Sequence, residues 1–266
     1  MSSRDSDQDI DGVIPHAREL CQEELTLTHN EKQAFEEFAT RVQELSTTST
    51  RSTAPAQATT GPSTSTLDPV QIADGTSDVR EAYRKTVMSV SHYEEMYGEA
   101  LAENVSKELN PEIAAVLEND TPLTQELCQY ASALAHEAQT QREQFKETII
   151  NETQSLEIAE EELHAIESAL EEMNVRILSE QSYIELERVW EQLDELQDRT
   201  EAISKERQER VHAIVVDMRS NGPITLQTYL YQPLSTSFPV LAECTDTLRK
   251  ILMAKSSVID SLTRRV

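Results

Sequence analysis

Two pairs of glutamate and histidine have the spacing of a metal site in a helical bundle. Glu161 precedes His164 and Glu209 precedes His212, each in the pattern Glu-x-x-His. Dinuclear iron or manganese centres in helical bundles use two such pairs and one further glutamate from each of two other helices. If the chain folds back near Glu180, however, the two pairs lie about 22 Å apart along the helices. One metal centre cannot use both pairs, so we predict no metal site and no cofactor.

Other catalytic patterns are incomplete in this sequence. His136 and Glu137 begin a His-Glu-x-x motif, but Thr140 stands where a zinc protease has its second histidine. The three cysteines lie far apart and form no Cys-x-x-Cys pair, which argues against a disulfide framework and a zinc site. With five glycines in 266 residues, the chain also lacks the glycine-rich loops that hold phosphates. We therefore predict a protein that is not an enzyme and has no small-molecule substrate.

Five aromatic residues are candidates for an interaction surface, because exposed aromatic side chains concentrate binding energy at protein interfaces. Trp190 follows an apolar position of a long predicted helix, and Tyr229 and Tyr231 lie in the segment YLYQPL. Phe35 and Phe38 belong to the apolar stripe of the first predicted helix. For Trp190 the alternative is that the ring covers the flank of the protein's own helices.

The first 77 residues predict one helix between two segments without apolar periodicity. Apolar side chains recur at three- and four-residue spacing over residues 15–45, which predicts an amphipathic helix. The acidic residues 1–14 before it are predicted to be disordered. Residues 46–77 are rich in Ser and Thr, so they bury too little apolar surface to offset the entropy of ordering. We predict a disordered linker there, which tethers the helix to the remaining chain.

The centre of the chain predicts two long helices. Ser182 and Glu185 form a capping box, the pattern that starts a new helix. We predict an antiparallel coiled-coil hairpin with arms at about 122–178 and 182–219, and a single kinked rod is the alternative. The two apolar stripes step by three and four residues in displaced registers: Leu163, Ile166, Leu170, Met173 and Ile177, then Leu186, Val189, Leu193, Leu196 and Ile203.

A last helix is predicted over residues 239–265, opened by Ser237 and Pro239. Its apolar stripe needs a surface to pack on, and the hairpin supplies one. Short helices are predicted between residue 78 and the hairpin. Together these elements predict the fold class: an all-α, elongated helical bundle over residues 78–266, built on the long hairpin.

The charge of the chain limits its partners and indicates its environment. It has 49 acidic and 23 basic residues, a formal net charge of −26. Such a surface repels the phosphates of nucleic acids and anionic lipids, so we predict no direct nucleic-acid or membrane binding. The acidic N-terminus is unlike a secretion signal, and a cytoplasmic location is expected. The excess of Glu, with abundant Ser and Thr, predicts a halophilic protein whose carboxylates are screened by concentrated salt.

Three parts of the chain carry a family resemblance: residues 79–117, the sequence ERQ at 206–208, and the pair YLYQPL and FPVLAE. They resemble a haloarchaeal family of predicted coiled-coil proteins that is known only as a domain of unknown function. The resemblance implies an archaeal, salt-adapted cytoplasmic protein, and it implies no activity.

The apolar seams, the tethered helix and the lack of a catalytic motif favour a non-enzymatic coiled-coil protein. It would act by binding protein or as a structural scaffold, and a homodimer through uncovered seams is one form of this function. The first alternative is an acidic accessory or regulatory protein that binds a basic, nucleic-acid-associated partner. The second is a metal-dependent helical-bundle enzyme.

Overall fold

The protein is all-α. A computed structural model describes residues 12–51, 71–72, 75–119, 123–173, 182–211, 215–218 and 222–264. The helices are α1 (Val13–Arg51), α2 (Gly75–Lys85), α3 (Tyr93–Met96), α4 (Leu101–Glu108), α5 (Pro111–Glu118), α6 (Gln125–Glu172), α7 (Tyr183–Val211), α8 (Leu226–Leu230) and α9 (Pro239–Thr263), with one 3₁₀ turn at Val87–Ser89. No helix of the described residues is long and apolar enough to cross a membrane.

Two short antiparallel strand pairs accompany the helices. Strand β1 (Gln71–Ile72) pairs with β2 (Leu123–Thr124). Strand β3 (Val215–Met218) pairs with β4 (Gly222–Thr225). They join neighbouring helices and form no larger sheet among the described residues.

The chain divides into two compact units. Unit 1 comprises residues 1–24 and 149–266, and unit 2 comprises residues 25–148. Helices α1 and α6 each contribute one part to each unit. This division differs from the predicted one, in which the first helix was a tethered element beside a single bundle.

In unit 1, four helical segments contact one another in a ring. Arg18 of α1 forms ion pairs with Glu157 and Glu160 of α6, both at 2.7 Å. Helix α6 continues the ring to α7 and α9, which share an apolar core with it: Ile166, Leu186, Val189, Leu193, Leu196, Ile251, Ala254 and Val258. Glu243 of α9 closes the ring on α1. The arrangement is that of a four-helix bundle.

Contacts between α6 and α7 run in opposite sequence order. Ile166 packs with the first half of α7, whereas Glu152, earlier in α6, binds Arg207 near the end of α7. The capping box predicted at the start of α7 is present, because the amide of Ser182 donates to Glu185 Oε2 at 2.6 Å and the amide of Glu185 donates to Ser182 Oγ at 3.4 Å.

Unit 2 is built around the second part of α1. Phe35, Phe38 and Val42 pack with residues of α2, α4, α5 and the first part of α6 in one apolar core. The ring of Phe38 meets that of Tyr83 edge to face, with centroids 5.0 Å apart. Helix α1 is therefore part of a core in the structure.

Several predicted boundaries need correction. Helix α1 continues to Arg51, so residues 46–51, predicted as linker, are helical, and α2 begins at Gly75 rather than at residue 78. Helix α7 ends at Val211, and strand β3 occupies part of the predicted arm 182–219. Val215 and Val216 belong to a short apolar run of the sequence that fits either a helix or a strand, and their pairing with β4 selects the strand. Residues 1–11, 52–70 and 174–181 lie outside the described residues.

Candidate functional site

Three of the five predicted interaction residues are buried. Phe35 and Phe38 lie in the core of unit 2, and Tyr231 lies in the interior of unit 1. A partner cannot contact side chains that their own unit covers, so the prediction of an interaction surface was wrong for these three. Helices α2 and α6 cover the apolar stripe of α1. The periodicity of the sequence does not indicate whether such a stripe is covered by the same chain or by a partner.

The other two predicted interaction residues are partly buried. Tyr229 donates a hydrogen bond to Glu24 Oε1 at 2.9 Å. The ammonium of Lys255 lies 5.2 Å from the ring centroid of Trp190 and also contacts Asp194 of the same helix α7. Trp190 thus takes part in the packing of α7 on α9, as the alternative for this residue predicted.

The two Glu-x-x-His pairs, for which we predict no metal site, lie on the surface of unit 1 as far as the structure describes them. Glu161, His164 and Glu209 are exposed, and His212 lies outside the described residues. Within the described ranges, no group of three His, Cys, Asp or Glu side chains could hold a metal ion.

A buried polar network lies inside unit 1. The guanidinium of Arg207 donates to both carboxylate oxygens of Glu152, at 3.0 Å to Oε2, and to Ser155 Oγ at 3.3 Å. The hydroxyl of Tyr231 donates to the same carboxylate. Cys21 of α1 lies beside it, with Sγ 3.9 Å from that hydroxyl. The network therefore joins α1, α6, α7 and the turn after α8.

Burial and charge determine the protonation states in this network. Burial opposes the charge of Arg207, but its hydrogen bonds and ion pair with Glu152 outweigh this effect and raise its pKa. Burial and the neighbouring carboxylate raise the pKa of Tyr231 far above its usual value. Burial also raises the pKa of the Cys21 thiol to about 11. At neutral pH the site is thus an ion pair flanked by a neutral phenol and a neutral thiol.

Sequence reasoning missed this network, although two of its members stand in segments that carry the family resemblance. Arg207 is the centre of ERQ, and Tyr231 belongs to YLYQPL. The position of Arg207 could have predicted the network. It lies two heptads after the buried Leu193, on the core-facing side of α7, where a charged side chain needs a buried partner.

An open groove lies next to the network on unit 1. It has a volume of about 270 Å³. Val240 of α9 closes it. Helix α6 lines one side and α7 the other, through Ser155, Ile158, Ala159 and Glu162 of α6 and Arg199, Ala202, Ile203, Glu206, Arg207 and Arg210 of α7. Ile158 is 59% exposed. The groove offers apolar surface with arginine and glutamate side chains along its lining.

Unit 2 contains a second polar network. Glu31 accepts hydrogen bonds from Arg142 Nε at 3.1 Å and from the Tyr97 hydroxyl at 2.7 Å, and its Oε1 lies 3.0 Å from His92 Nε2. Arg142 also pairs with Glu108 at 2.7 Å. Burial raises the pKa of Glu31, but the charge of Arg142 and these hydrogen bonds outweigh it and hold the pKa below the usual value. The network fixes α1 to α4, α6 and the segment around α3.

Helix α9 has an outward face that unit 1 leaves uncovered. Leu252, Met253 and Ile259 are 56%, 67% and 46% exposed. The inward residues Ile251, Ala254 and Val258 of the same helix are buried in the core. Helix α9 is therefore apolar on two opposite sides, and among the described residues of unit 1 only one of these sides contributes to the core.

The comparisons with known proteins give a family and no activity. A family model described as "Domain of unknown function (DUF7260)" matches residues 12–255. Neither the curated proteins nor the solved structures contain a significant match. The match spans both units, including the two polar networks and most of α9. The chain belongs to this family of domains of unknown function, DUF7260.

Proposed function

We propose that this protein is a non-enzymatic helical scaffold that binds protein, and that its first partner is a second copy of the same chain, bound through the outward face of α9. The observation that carries the proposal is the exposure of Leu252, Met253 and Ile259 on one helix. Exposed apolar groups that share one face favour an interface, whereas single ones need no explanation.

The spacing on α9 fits a helix pair. Leu252, Ser256 and Ile259 recur at four and three residues, which is the spacing of a coiled-coil seam. In an antiparallel pair whose two-fold axis passes between Lys255 and Ser256, Leu252 of one copy meets Ile259 of the other. The serine layer between the two Leu–Ile layers lets the helix backbones approach closely. The two-fold arrangement uses the same patch on both copies.

The charge distribution favours this face over the rest of the chain. The exposed residues between Lys250 and Asp260 are Leu252, Met253, Ser256, Ser257 and Ile259, and none of them is charged. Two copies can therefore meet here without burying an unpaired charge, which would cost several kcal/mol. By contrast, residues 143–210 contain twenty acidic and seven basic residues, so their surfaces repel a second copy.

The size of the patch predicts a weak association. Three large apolar side chains on one helix make an interface at the low end of the range for specific complexes, in which about 1,200–2,000 Å² is buried. We expect a dissociation constant in the micromolar range, which corresponds to about 8 kcal/mol.

Sedimentation equilibrium of the full chain in concentrated KCl tests the proposal. We expect a concentration-dependent dimer in the unchanged protein and a monomer in the Leu252→Glu and Ile259→Glu double variant. Ile158→Glu is the matched control, because Ile158 is as exposed as Leu252 but lies on α6. A protein that stays monomeric at every concentration, or a dimer lost only in the control, contradicts the proposal.

We also propose that α6 and α7 pair as a regular antiparallel coiled coil and that the protein works in the cytoplasm of a salt-rich cell. The opposite contact order of the two helices and the net charge of −26 support these two statements.

A further inference from the structure

Small side chains form part of the lining of the groove between α6 and α7. Ala159 of α6 and Ala202 of α7 line it, and Val240 of α9 closes it. Further along the same two helices, Leu163, Ile166, Leu193 and Leu196 fill the seam and are buried. At the groove α6 has the small buried Ala159 instead of a leucine, α7 contributes the exposed Ala202, and a cavity of about 270 Å³ is open to solvent.

The charged side chains of the groove differ in whether they have partners. Arg207 is neutralised by Glu152, and Arg210 pairs with Glu206 at 3.3 Å. Arg199 and Glu162 also line the groove, one from each helix. Within the described residues, neither has an ion pair or a hydrogen bond. The groove therefore presents one uncompensated cation and one uncompensated carboxylate beside an apolar wall.

We propose that this groove binds a small zwitterion with an aliphatic body, of the chemical class of free aliphatic α-amino acids. The ligand's carboxylate pairs with Arg199 and its ammonium pairs with Glu162. Its aliphatic chain covers the exposed surface of Ile158 and Ile203. A simple anion would leave Glu162 unpaired and close to a like charge, and a simple cation would do the same to Arg199.

The volume supports a ligand of this size. Sites for drug-sized molecules have cavities of about 300–1,000 Å³, so a groove just below this range suits a smaller molecule. The inference is independent of the proposed self-association, because the groove lies on α6 and α7 whereas the uncovered face lies on α9.

The test uses L-leucine and two analogues that each lack one charged group. 4-Methylpentanoate lacks the ammonium, and 3-methylbutylamine lacks the carboxylate. Binding to the full chain is followed in ¹H–¹³C spectra of labelled isoleucine methyl groups, at Ile158 and Ile203. We expect L-leucine to bind about fivefold or more tightly than either analogue, because each exposed charge pair contributes a modest factor.

Two conservative variants separate the charged groups. Arg199→Gln should remove the advantage of L-leucine over 3-methylbutylamine, and Glu162→Gln should remove its advantage over 4-methylpentanoate. Arg188→Gln, an exposed position of α7 outside the groove, is the control and should leave all three affinities unchanged. Ile158→Trp should fill the groove and abolish binding while the thermal unfolding curve stays cooperative.

Three results would overturn the inference. The first is the absence of methyl shifts at Ile158 and Ile203 at the solubility limit of L-leucine. The second is equal affinity for the three probes. The third is unchanged L-leucine binding in the Ile158→Trp variant.

Discussion

At the scale of single residues, the ion pair between Arg207 and Glu152 is the most consequential contact of unit 1. Both side chains are almost fully buried, and the carboxylate also accepts the hydroxyl of Tyr231. A buried ion pair is weak evidence for net stability, because the two charges lose their hydration. Removing one partner destabilises the fold strongly, because the remaining charge stays buried without compensation.

We expect Arg207→Met to lower the free energy of unfolding by about 3–5 kcal/mol. The double variant Arg207→Met and Glu152→Leu should lose clearly less, since it leaves no buried charge. Urea denaturation at a fixed KCl concentration measures both values. Arg199→Met, an exposed site on the same helix, is the control; equal losses in the single and double variants would contradict this account of the network.

Glu31 gives unit 2 a defined acid sensitivity. Its pKa in the folded protein lies below the ordinary value of 4.5, so the ionised carboxylate stabilises the fold above that value. This contribution is lost as the pH falls from about 4.5 through the lowered pKa of the folded state.

We therefore expect Glu31→Gln to be less stable than the unchanged protein at pH 7 and to lose stability less steeply below pH about 4.5. Thermal unfolding across a pH series measures the two slopes. Glu36→Gln, at an exposed position on the same helix, is the control and should lose stability below pH about 4.5 as steeply as the unchanged protein. If the stability of Glu31→Gln falls equally steeply, Glu31 is not the source of the acid sensitivity.

At the scale of elements, one helix caps another. The first amides of α1, those of Val13 and Ile14, donate to Glu243 Oε1 of α9 at 2.6 and 2.8 Å. These amides have no partner inside their own helix, and the carboxylate also interacts favourably with the helix dipole. Burial raises the pKa of Glu243, and the two amides oppose this effect.

Glu243→Ala should lower the free energy of unfolding by about 1–2 kcal/mol and speed hydrogen exchange at Val13 and Ile14. Glu243→Gln keeps an acceptor oxygen without the cost of a buried charge, so it should retain most of the stability and protection. Faster exchange in both variants alike would indicate that the charge, rather than the acceptor, holds the helix start.

At the scale of the whole molecule, charge is the dominant property. With a net charge of −26, self-repulsion opposes compact structure unless salt screens it. Ion pairs do not reduce this excess, because the net charge already counts all 23 basic residues against the 49 acidic ones.

Helicity should therefore rise between dilute buffer and molar KCl, as measured by far-ultraviolet circular dichroism. Sucrose at equal osmolality is the control, because it favours compact states without screening charge. Equal helicity in dilute buffer and in KCl would remove the halophilic hypothesis, and an equal rise in sucrose would remove screening as its cause.

Local and additive properties were readable from the sequence. The spacing of residues along one chain is sufficient to predict four features: the helical periods, the capping box at Ser182, the absence of long apolar spans and the solvated glutamate runs. The exposure of Glu161 and His164 also followed from their offset from the seam.

Only the tertiary structure decided what each apolar or charged face meets. Phe35 and Phe38 show the same periodicity whether a partner or their own unit covers them, and the structure places both, like Tyr231, in the protein interior. The pairing of Arg207 with Glu152 joins residues 55 positions apart. Such contacts depend on how helices lie side by side, and a pattern within one helix carries no information on its neighbour. For the same reason, the exposure of the outward face of α9 could be recognised only in the tertiary structure.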